Sequence, residues 1–232
     1  MEKRILIIGN SEGLQGVKID IENYKRFFKN SYGGDWYDSE IIEKLNVSKT
    51  SLTAELSKLK NLSLDYLIVI FSGHGAQQRE TILELNSNGE SISESNLKNL
   101  ADRQLNIFDC CRAYSEMESK AIINEMAARS FSFTNTRKKY EKRIMEANHQ
   151  QICLYACAIG ECAYDTARGG AYSKNLLTCA LDIQGEYKLV GTAHQEASRL
   201  TTIEFNNQHP EAELPRLISS QQLILAINPK IG

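Results

Sequence analysis

The sequence predicts an α/β protein with a mostly parallel central sheet of about six strands and helices on both faces, in a single domain. Three observations predict this fold. Apolar segments of strand length alternate along the chain with segments of helical periodicity. Segments such as 67–71 are apolar without alternation, which is typical of strands that are covered on both faces. The length of 232 residues is sufficient for one large core.

The predicted elements alternate between strand and helix. The predicted strands cover residues 4–8, 40–45, 65–71, 104–109, 152–158 and 222–227, and a further strand at 81–85 leads into a hairpin turn at 86–89. The predicted helices cover residues 17–28, 93–100, 173–181 and 191–205, and another begins with Thr50 as its cap. The stretch from 112 to 151 has no strand signal. This order predicts parallel strands that are joined by crossover helices.

Composition and charge indicate an ordinary globular protein. The hydrophobic fraction is 42%, the charged fraction is 24% and the formal net charge is −2, so nothing predicts a nucleic acid or an anionic membrane as partner. The N-terminal apolar run is too short for a signal peptide, and no segment approaches a membrane span. We therefore expect a cytoplasmic protein with reduced thiols.

The cysteines and most of the histidines show no metal-binding pattern. The six cysteines lack paired CxxC spacing, so neither a zinc site nor another cofactor is expected. Cys153, Cys157 and Cys179 lie in apolar runs and are expected in the core. Three histidines, His149, His194 and His209, lack ligand spacing and are interpreted as surface or hydrogen-bonding residues.

Two of the predicted strands end in reactive polar residues. One strand runs into Ser72-Gly-His-Gly75, and another ends in Asp109-Cys-Cys-Arg112. Because the carboxyl ends of neighbouring parallel strands meet at one crevice, we expect His74 and Cys111 to lie there together. An imidazole beside a thiol is a general base with its nucleophile. The alternation of strand side chains predicts that Cys110 points instead into the core.

A structural histidine and a core cysteine are the alternative interpretation of these two segments. Their joint position at the ends of two strands favours the functional interpretation. The small neighbours of His74 also leave room for a substrate backbone. The two segments together predict a cysteine peptidase.

These two segments resemble the histidine and cysteine boxes of the caspase/metacaspase clan. Three flanking segments, 16–20, 157–165 and 208–210, are similar to other parts of the clan's sequences. The resemblance implies a caspase-like three-layer sandwich with Cys111 as nucleophile and His74 as general base. It also implies an oxyanion hole made by the backbone N–H groups of Gly75 and Cys111. No third side chain is required, because in this clan the imidazole is usually oriented by backbone.

The resemblance also predicts the substrate class. Caspases bind an aspartate side chain through arginines and the glutamine of their cysteine box, but Leu14 and Asp109 stand at two of these positions. Metacaspases carry acids there, and this chain is similar to them at Asp20 and Asp109, with Ser72 between. Two carboxylates in a half-desolvated pocket favour a cation and exclude an anion. The prediction is cleavage after Arg or Lys.

Three alternatives for these acidic residues stay open. The alternative for Asp20 is a solvated helix residue. The alternative for Asp109 is a cap of the following turn. Asp165 is a further candidate for the substrate pocket by its match to the family, although residues 164–170 also fit a surface turn.

The basic stretch between 129 and 143 suggests an activation mechanism. A run of this kind is usually the solvated face of a helix. Caspases, however, are cut between their two halves, and an enzyme that prefers basic residues could cut its own linker. The resemblance thus divides the domain into a large-subunit-like part (1–128), a basic linker (129–151) and a small-subunit-like part (152–232). Calcium is not predicted, since Glu80, Glu84 and Glu90 form no dense cluster.

Other classes of protein fit parts of the sequence. A signalling or scaffold module would keep the caspase fold and act by binding alone, and the intact pair of Cys111 and His74 counts against it. A nucleotide-binding domain would carry G-x-G-x-x-G or a Walker lysine, which the loop at 9–16 lacks. A homodimer through the strand at 223–227 is compatible with the resemblance, as is a capped edge there. A role in regulated cell death or antiviral defence follows from the family alone.

Overall fold

The computed structural model describes residues 1–114 and 136–231. Its centre is a six-stranded sheet in the order β12-β8-β7-β3-β1-β2. Five of these strands are parallel, and β12 at one edge pairs antiparallel with β8. The strands of this sheet are β1 (Lys3–Gly9), β2 (Ile41–Leu45), β3 (Leu64–Ser72), β7 (Ala101–Asp109), β8 (Gln150–Tyr155) and β12 (Glu211–Glu213). The predicted α/β sandwich is confirmed.

Three smaller sheets and five helices complete the described chain. The small strands are β4 (Gly75–Gln77), β5 (Thr81–Glu84), β6 (Ser91–Ser93), β9 (Asp165–Thr166), β10 (Gly169–Gly170), β11 (Tyr187–Leu189) and β13 (Ile224–Ile227). The helices are α1 (Gly16–Lys29), α2 (Lys49–Asn61), α3 (Thr136–Glu146), α4 (Ala171–Leu181) and α5 (Val190–Glu204). No described helix is both long and apolar enough to cross a membrane.

The central strands divide their side chains between two cores. In β1, Ile5 and Ile7 join the core beneath α1, α3, α4 and α5, whereas Leu6 and Ile8 join the core beneath α2 and the β4-β5-β6 sheet. All four are fully buried, which explains why their sequence shows no polar alternation. Helix α1 turns Val17, Ile21, Tyr24 and Phe28 toward the first core, at the spacing of one helix face.

Among the differences between the predicted and the observed elements, four concern a cap, a helix type, a strand end and a strand partner. Ser48, not Thr50, caps α2, because the Ser48 side chain accepts a hydrogen bond from the Ser51 N–H. Residues 93–100 form only a 3₁₀ turn over Glu94–Leu97. The predicted strand at 152–158 begins earlier and ends at Tyr155, where the chain leaves the sheet. The last strand, β13, pairs with β11 outside the central sheet.

The strand proposed for a dimer is enclosed by its own chain. Residues 223–227 are fully buried in the first core, so they offer no free edge to a second copy. The edges of the central sheet are instead β2 and β12, and β12 follows Pro210 directly. Its sequence, Glu-Ala-Glu, is too short and too acidic to signal a strand.

Helix α3 includes much of the predicted basic linker. Arg137 donates to both Glu40 carboxylate oxygens at 2.8 and 2.6 Å, and Tyr140 is buried edge-on against Trp36. Arg143 donates to the carbonyls of Ser219 and Gln222. These contacts fasten α3 to the domain. Arg129 and most of the segment before α3 lie outside the described residues, so the division into parts stays a prediction.

Candidate active site

The register of β3 and β7 brings the two boxes together. Ser72 stands directly opposite Asp109 in the parallel pair, and the Gly73 N–H donates to the Asp109 carbonyl at 3.1 Å. His74 lies two residues after Ser72, and Cys111 lies two residues after Asp109. Both residues therefore lie just beyond the same end of the sheet. Both line one cleft of about 340 Å³, which includes space open to solvent.

A backbone carbonyl orients the imidazole. The Nε2 atom of His74 lies 2.6 Å from the Glu12 carbonyl oxygen, in the loop between β1 and α1. A carbonyl can only accept, so Nε2 carries the proton and Nδ1 is left as the acceptor of a neutral ring. This is the arrangement that a general base requires. Sequence reasoning did not identify Glu12, because its contribution is a main-chain atom that any residue supplies.

The Cys111 thiol lies against the opposite wall of the cleft. Its Sγ is 3.8 Å from the Ala163 carbonyl oxygen, and the Cys162 side chain lies nearby. Burial, with the neighbouring Cys162 as a smaller cause, raises the pKa of Cys111 to about 12, against a smaller lowering by the Ala163 backbone. Among the described residues, no hydrogen bond joins this thiol to His74. The structure therefore brings the two groups to one cleft, and the dyad itself stays a prediction.

The neighbours of Cys111 have structural positions. Cys110 is 1% exposed and lies in the core beneath α2, as predicted. The Arg112 guanidinium stacks on the Tyr155 ring at 4.0 Å and donates to Glu211 at 2.7 Å. Arg112 thus fastens the cysteine loop to the sheet edge. The Cys111 N–H has no acceptor among the described residues, so it is free to bind an oxyanion.

Two buried carboxylates form the floor of the cleft. Asp20 of α1 is 2% exposed; it accepts hydrogen bonds from the Ser72 hydroxyl at 2.7 Å and from the Gly170 N–H at 2.9 Å. Asp109 is 5% exposed and accepts from the hydroxyl and the N–H of Ser173, at 2.5 and 3.1 Å. Neither carboxylate forms an ion pair within the described part of the chain. The alternatives of a solvated helix residue and of a cap of the next turn are both wrong.

The electrostatics of Asp20 and Asp109 favour the binding of a positive charge between them. Burial raises the pKa of Asp20 well above its usual value, and the nearby Asp109 charge raises it further. Burial likewise raises the pKa of Asp109 from 3.8 to about 6, against the lowering by the Ser173 hydrogen bonds. A cation between the two carboxylates would relieve both effects.

Asp165 lies at the mouth of the same cleft. Its Oδ2 accepts from the Gly16 N–H at 3.1 Å, which ties the start of α1 to the 163–170 loop. Burial raises the pKa of Asp165, and the nearby His74 lowers it. The side chain is only partly buried. It lines the same cleft as His74.

Sequence reasoning missed the residues that hold the carboxylates. Ser173 and Tyr24 are hydrogen-bonded at 2.9 Å, and Ser173 in turn binds Asp109. A Cβ at position 170 would collide with the Asp109 carboxylate, so this wall of the pocket requires glycine. The Gly169–Gly170 pair was the available signal. No sequence signal identified Tyr24, because its position on α1 is also the position expected of a core residue.

The remaining predicted residues lie where the sequence placed them. Cys153, Cys157 and Cys179 are buried thiols. His194 is buried and hydrogen-bonded to the Tyr172 hydroxyl at 2.7 Å, and His209 pairs with Glu161. Across residues 1–114 and 136–231, no three His, Cys, Asp or Glu side chains are grouped to hold a metal ion.

The fold and the cleft define a caspase-like α/β sandwich, and comparison with known proteins agrees. A sequence profile described as the caspase domain matches residues 2–217. The chain therefore belongs to the caspase domain family, which is a family of cysteine peptidases. A search of curated protein sequences found no match.

Solved structures show the same fold at low identity. The chain is similar to caspase-1 from Spodoptera frugiperda, with a TM-score of 0.63 and 12% identity over 91% of this chain and 86% of the other. It is also similar to protein GSU0716 from Geobacter sulfurreducens, with a TM-score of 0.57 and 12% identity over 98% and 99% of the two chains.

Proposed function

We propose that this protein is a cysteine endopeptidase that cleaves after arginine or lysine, with Cys111 as nucleophile and His74 as general base. The single observation that carries the proposal is the buried pair Asp20 and Asp109, which has no cation among the described residues and lies on the floor of the cleft that His74 and Cys111 line.

The proposed reaction assigns a task to each group. The basic side chain of the residue before the cleaved bond enters between the two carboxylates, where a guanidinium can bind in a bidentate manner. His74 Nδ1 takes the proton of the Cys111 thiol while the sulfur attacks the carbonyl carbon. The Gly75 and Cys111 N–H groups stabilise the oxyanion. The imidazolium then protonates the leaving amine, and water releases the acyl group.

The attack requires the Cys111 side chain to rotate. In the resting structure the thiol contacts Ala163 and Cys162, where burial raises the pKa of Cys111 to about 12. Rotation toward His74 would replace these contacts by an imidazole, which favours the thiolate. Substrate binding in the pocket is the proposed trigger.

Ser72 and Asp165 complete the proposed substrate pocket. Ser72 holds one Asp20 oxygen in place, so it positions the carboxylate for the substrate cation. Asp165 stands closer to the solvent and would contact the basic group at the entrance. A protein or peptide with a basic residue is the proposed partner, and neither nucleic acid nor membrane is part of the proposal.

Self-processing is proposed at the basic segment before α3. A cut after Arg137 or Arg143 would require α3 to unwind and lose their contacts with Glu40 and the 219–222 segment. Arg129, of the same basic linker, lies outside the described residues. Incubation of the wild type and of Cys111→Ala in separate parallel samples tests this proposal. Cleavage in the wild-type sample alone is expected, and equal cleavage in both samples would identify a contaminating protease.

Location and oligomeric state belong to the same proposal. The six cysteines are free thiols, which fits the reducing cytoplasm. A homodimer is proposed from the family alone, and residues 223–227 are too deeply buried to form its interface. A function in regulated cell death or antiviral defence is proposed from the family alone.

A peptide assay tests the proposed activity. Fluorogenic peptides that end in Arg, Lys or Asp are offered to the wild type and to Cys111→Ala. The proposal predicts turnover of the Arg and Lys peptides by the wild type only. Turnover of the Asp peptide alone would contradict the specificity. A folded protein that cleaves none of them, even in long incubations, would favour a scaffold module.

A further inference from the structure

A second thiol lies beside the proposed nucleophile. The Cys162 side chain lies near the Cys111 thiol, and the Cys111 sulfur contacts the carbonyl of Ala163, the residue next to Cys162. Both cysteines are partly exposed, so a small reagent can reach them. The proposed peptidase reaction uses Cys111 and leaves Cys162 without a task.

Backbone hydrogen bonds hold the two thiols in place. The Arg112 N–H donates to the Glu161 carbonyl and the Gly160 N–H donates to the Arg112 carbonyl, both at 2.8 Å. Arg112 follows Cys111 and Glu161 precedes Cys162, so the two cysteines are carried on segments joined directly to each other. The Glu161 carboxylate also accepts from the Ala158 and His209 N–H groups, which fixes the far end of this loop.

The other nearby thiols are poorly placed to compete. Cys157 is fully buried, and its sulfur lies 3.4 Å from the carbonyls of both Cys110 and Glu161. Cys110 is buried in the opposite core. Of the thiols around Cys111, Cys162 is the one that is partly exposed.

We propose that Cys111 and Cys162 are an oxidation site, which a hydroperoxide converts into an intramolecular disulfide that thiols reverse. One sulfur first reduces the peroxide and becomes a sulfenic acid, with release of water in the case of hydrogen peroxide. The second thiol then displaces the hydroxyl group as a second water, and the disulfide forms. Two thiols lose two electrons, and one peroxide becomes two waters.

The disulfide would serve as a reversible block of the nucleophile. The functional part of this inference rests on the proposed peptidase activity, since a disulfide at Cys111 removes the sulfur that attacks the substrate. A resolving thiol also protects, because a sulfenic acid that is captured as disulfide does not advance to the irreversible sulfinic acid. Oxidation requires a thiolate, so the reaction is expected to accelerate as the pH rises.

Mass mapping after peroxide treatment tests the site without reference to activity. Wild type, Cys162→Ser and Cys179→Ser are oxidised, alkylated, digested with trypsin and analysed. Cys179 is the matched control, because it is a buried cysteine of α4 that does not line the cleft. Trypsin leaves Cys110 with Cys111 in one peptide and Cys162 with Cys153 and Cys157 in another, so fragmentation must assign the bridge.

The expected bridge joins Cys111 to Cys162 in the wild type and in Cys179→Ser, and dithiothreitol removes it. In Cys162→Ser, Cys111 should advance to the sulfinic acid, and recovery of the free Cys111 thiol by dithiothreitol should be at least about tenfold lower. A bridge to Cys157, or equal recovery in all three proteins, would overturn the inference. Absence of peptidase activity would instead count against the proposed function. It would not change the interpretation of the mapped disulfide, which is measured without an activity assay.

Discussion

Ser72 and Asp109 face each other at the last paired position of β3 and β7, and this pairing determines the geometry of the whole cleft. The side chains of both point to the face on which α1 and α4 pack. Ser72 binds Asp20 of α1, and Asp109 binds Ser173 of α4. Two residues further along, the same strands deliver the imidazole and the thiol. The proposed recognition and the proposed chemistry therefore share one structural origin.

Removal of either buried carboxylate should abolish the basic specificity. In Asp20→Asn and Asp109→Asn we expect kcat/KM for an arginine peptide to fall at least about a hundredfold, since a charge-assisted pair worth roughly 3 kcal/mol is lost. Steady-state kinetics measure this. Asp182→Asn, at an exposed position, is the control and should behave as wild type. Unchanged kinetics in both pocket variants would show that the cation binds elsewhere.

The same carboxylate should impose an acid limit on activity. The pKa of Asp109 is raised to about 6, so lowering the pH through that value protonates the carboxylate and removes its attraction for a cation. We expect kcat/KM for an arginine peptide to fall by up to about tenfold per pH unit below about 6. In Asp109→Asn this limb should become shallower, because Asp109 no longer titrates. A wild-type profile that stays flat from pH 7 to pH 5 would contradict the assignment.

Asp109 should also lower the stability of the unliganded protein at neutral pH. Its pKa is about 6 when folded and 3.8 at its ordinary value, so the folded state binds more protons between these values. The free energy of unfolding therefore falls as the pH rises from about 4 to about 6. We expect Asp109→Asn to be more stable by roughly 1–3 kcal/mol at pH 7.5, with little gain at pH 4. Urea unfolding at both pH values measures the difference, and a variant that is less stable at pH 7.5 would refute it.

Ser173 should act through Asp109 as a positioning residue. Its hydroxyl and N–H both lower the pKa of Asp109, so Ser173→Ala should move the acid limb of the kcat/KM profile to higher pH. Loss of one hydrogen bond to a charged group is worth roughly 1.5–3 kcal/mol, which predicts a tenfold or larger fall at neutral pH. Ser173→Thr, which keeps the hydroxyl, should restore the profile. Equal limbs in all three proteins would remove Ser173 from the mechanism.

The orientation of His74 should not depend on the side chain of Glu12. The contact uses the Glu12 carbonyl oxygen, which Glu12→Ala retains. We therefore expect kcat for this variant within about twofold of wild type, as for other substitutions away from buried features. His74→Ala is the contrasting variant and should be inactive. A severe loss in Glu12→Ala would mean that the carboxylate itself takes part.

Much of the fold was predictable because the central strands are covered on both faces and therefore read as uninterrupted apolar runs. His74 and Cys111 were predictable because each follows such a run. The substrate pocket was less predictable from the sequence. Asp20 could be proposed only from the resemblance, since its burial depends on the packing of α4 and the Gly169–Gly170 turn against α1. The contacts of Ser173 and Cys162 also required the three-dimensional structure, because their partners lie more than fifty residues away in the chain.

Covalent labelling tests the central claim most directly. A peptide halomethyl ketone that ends in arginine alkylates a reactive thiol only if the base and the cation pocket are assembled around it. Mass mapping should find stoichiometric label on Cys111 in the wild type, strongly reduced label in His74→Ala and Asp109→Asn, and none from the aspartate analogue. Equal labelling by both reagents, or labelling that His74→Ala leaves unchanged, would contradict the assignment of Cys111 and His74 to a peptidase specific for basic residues.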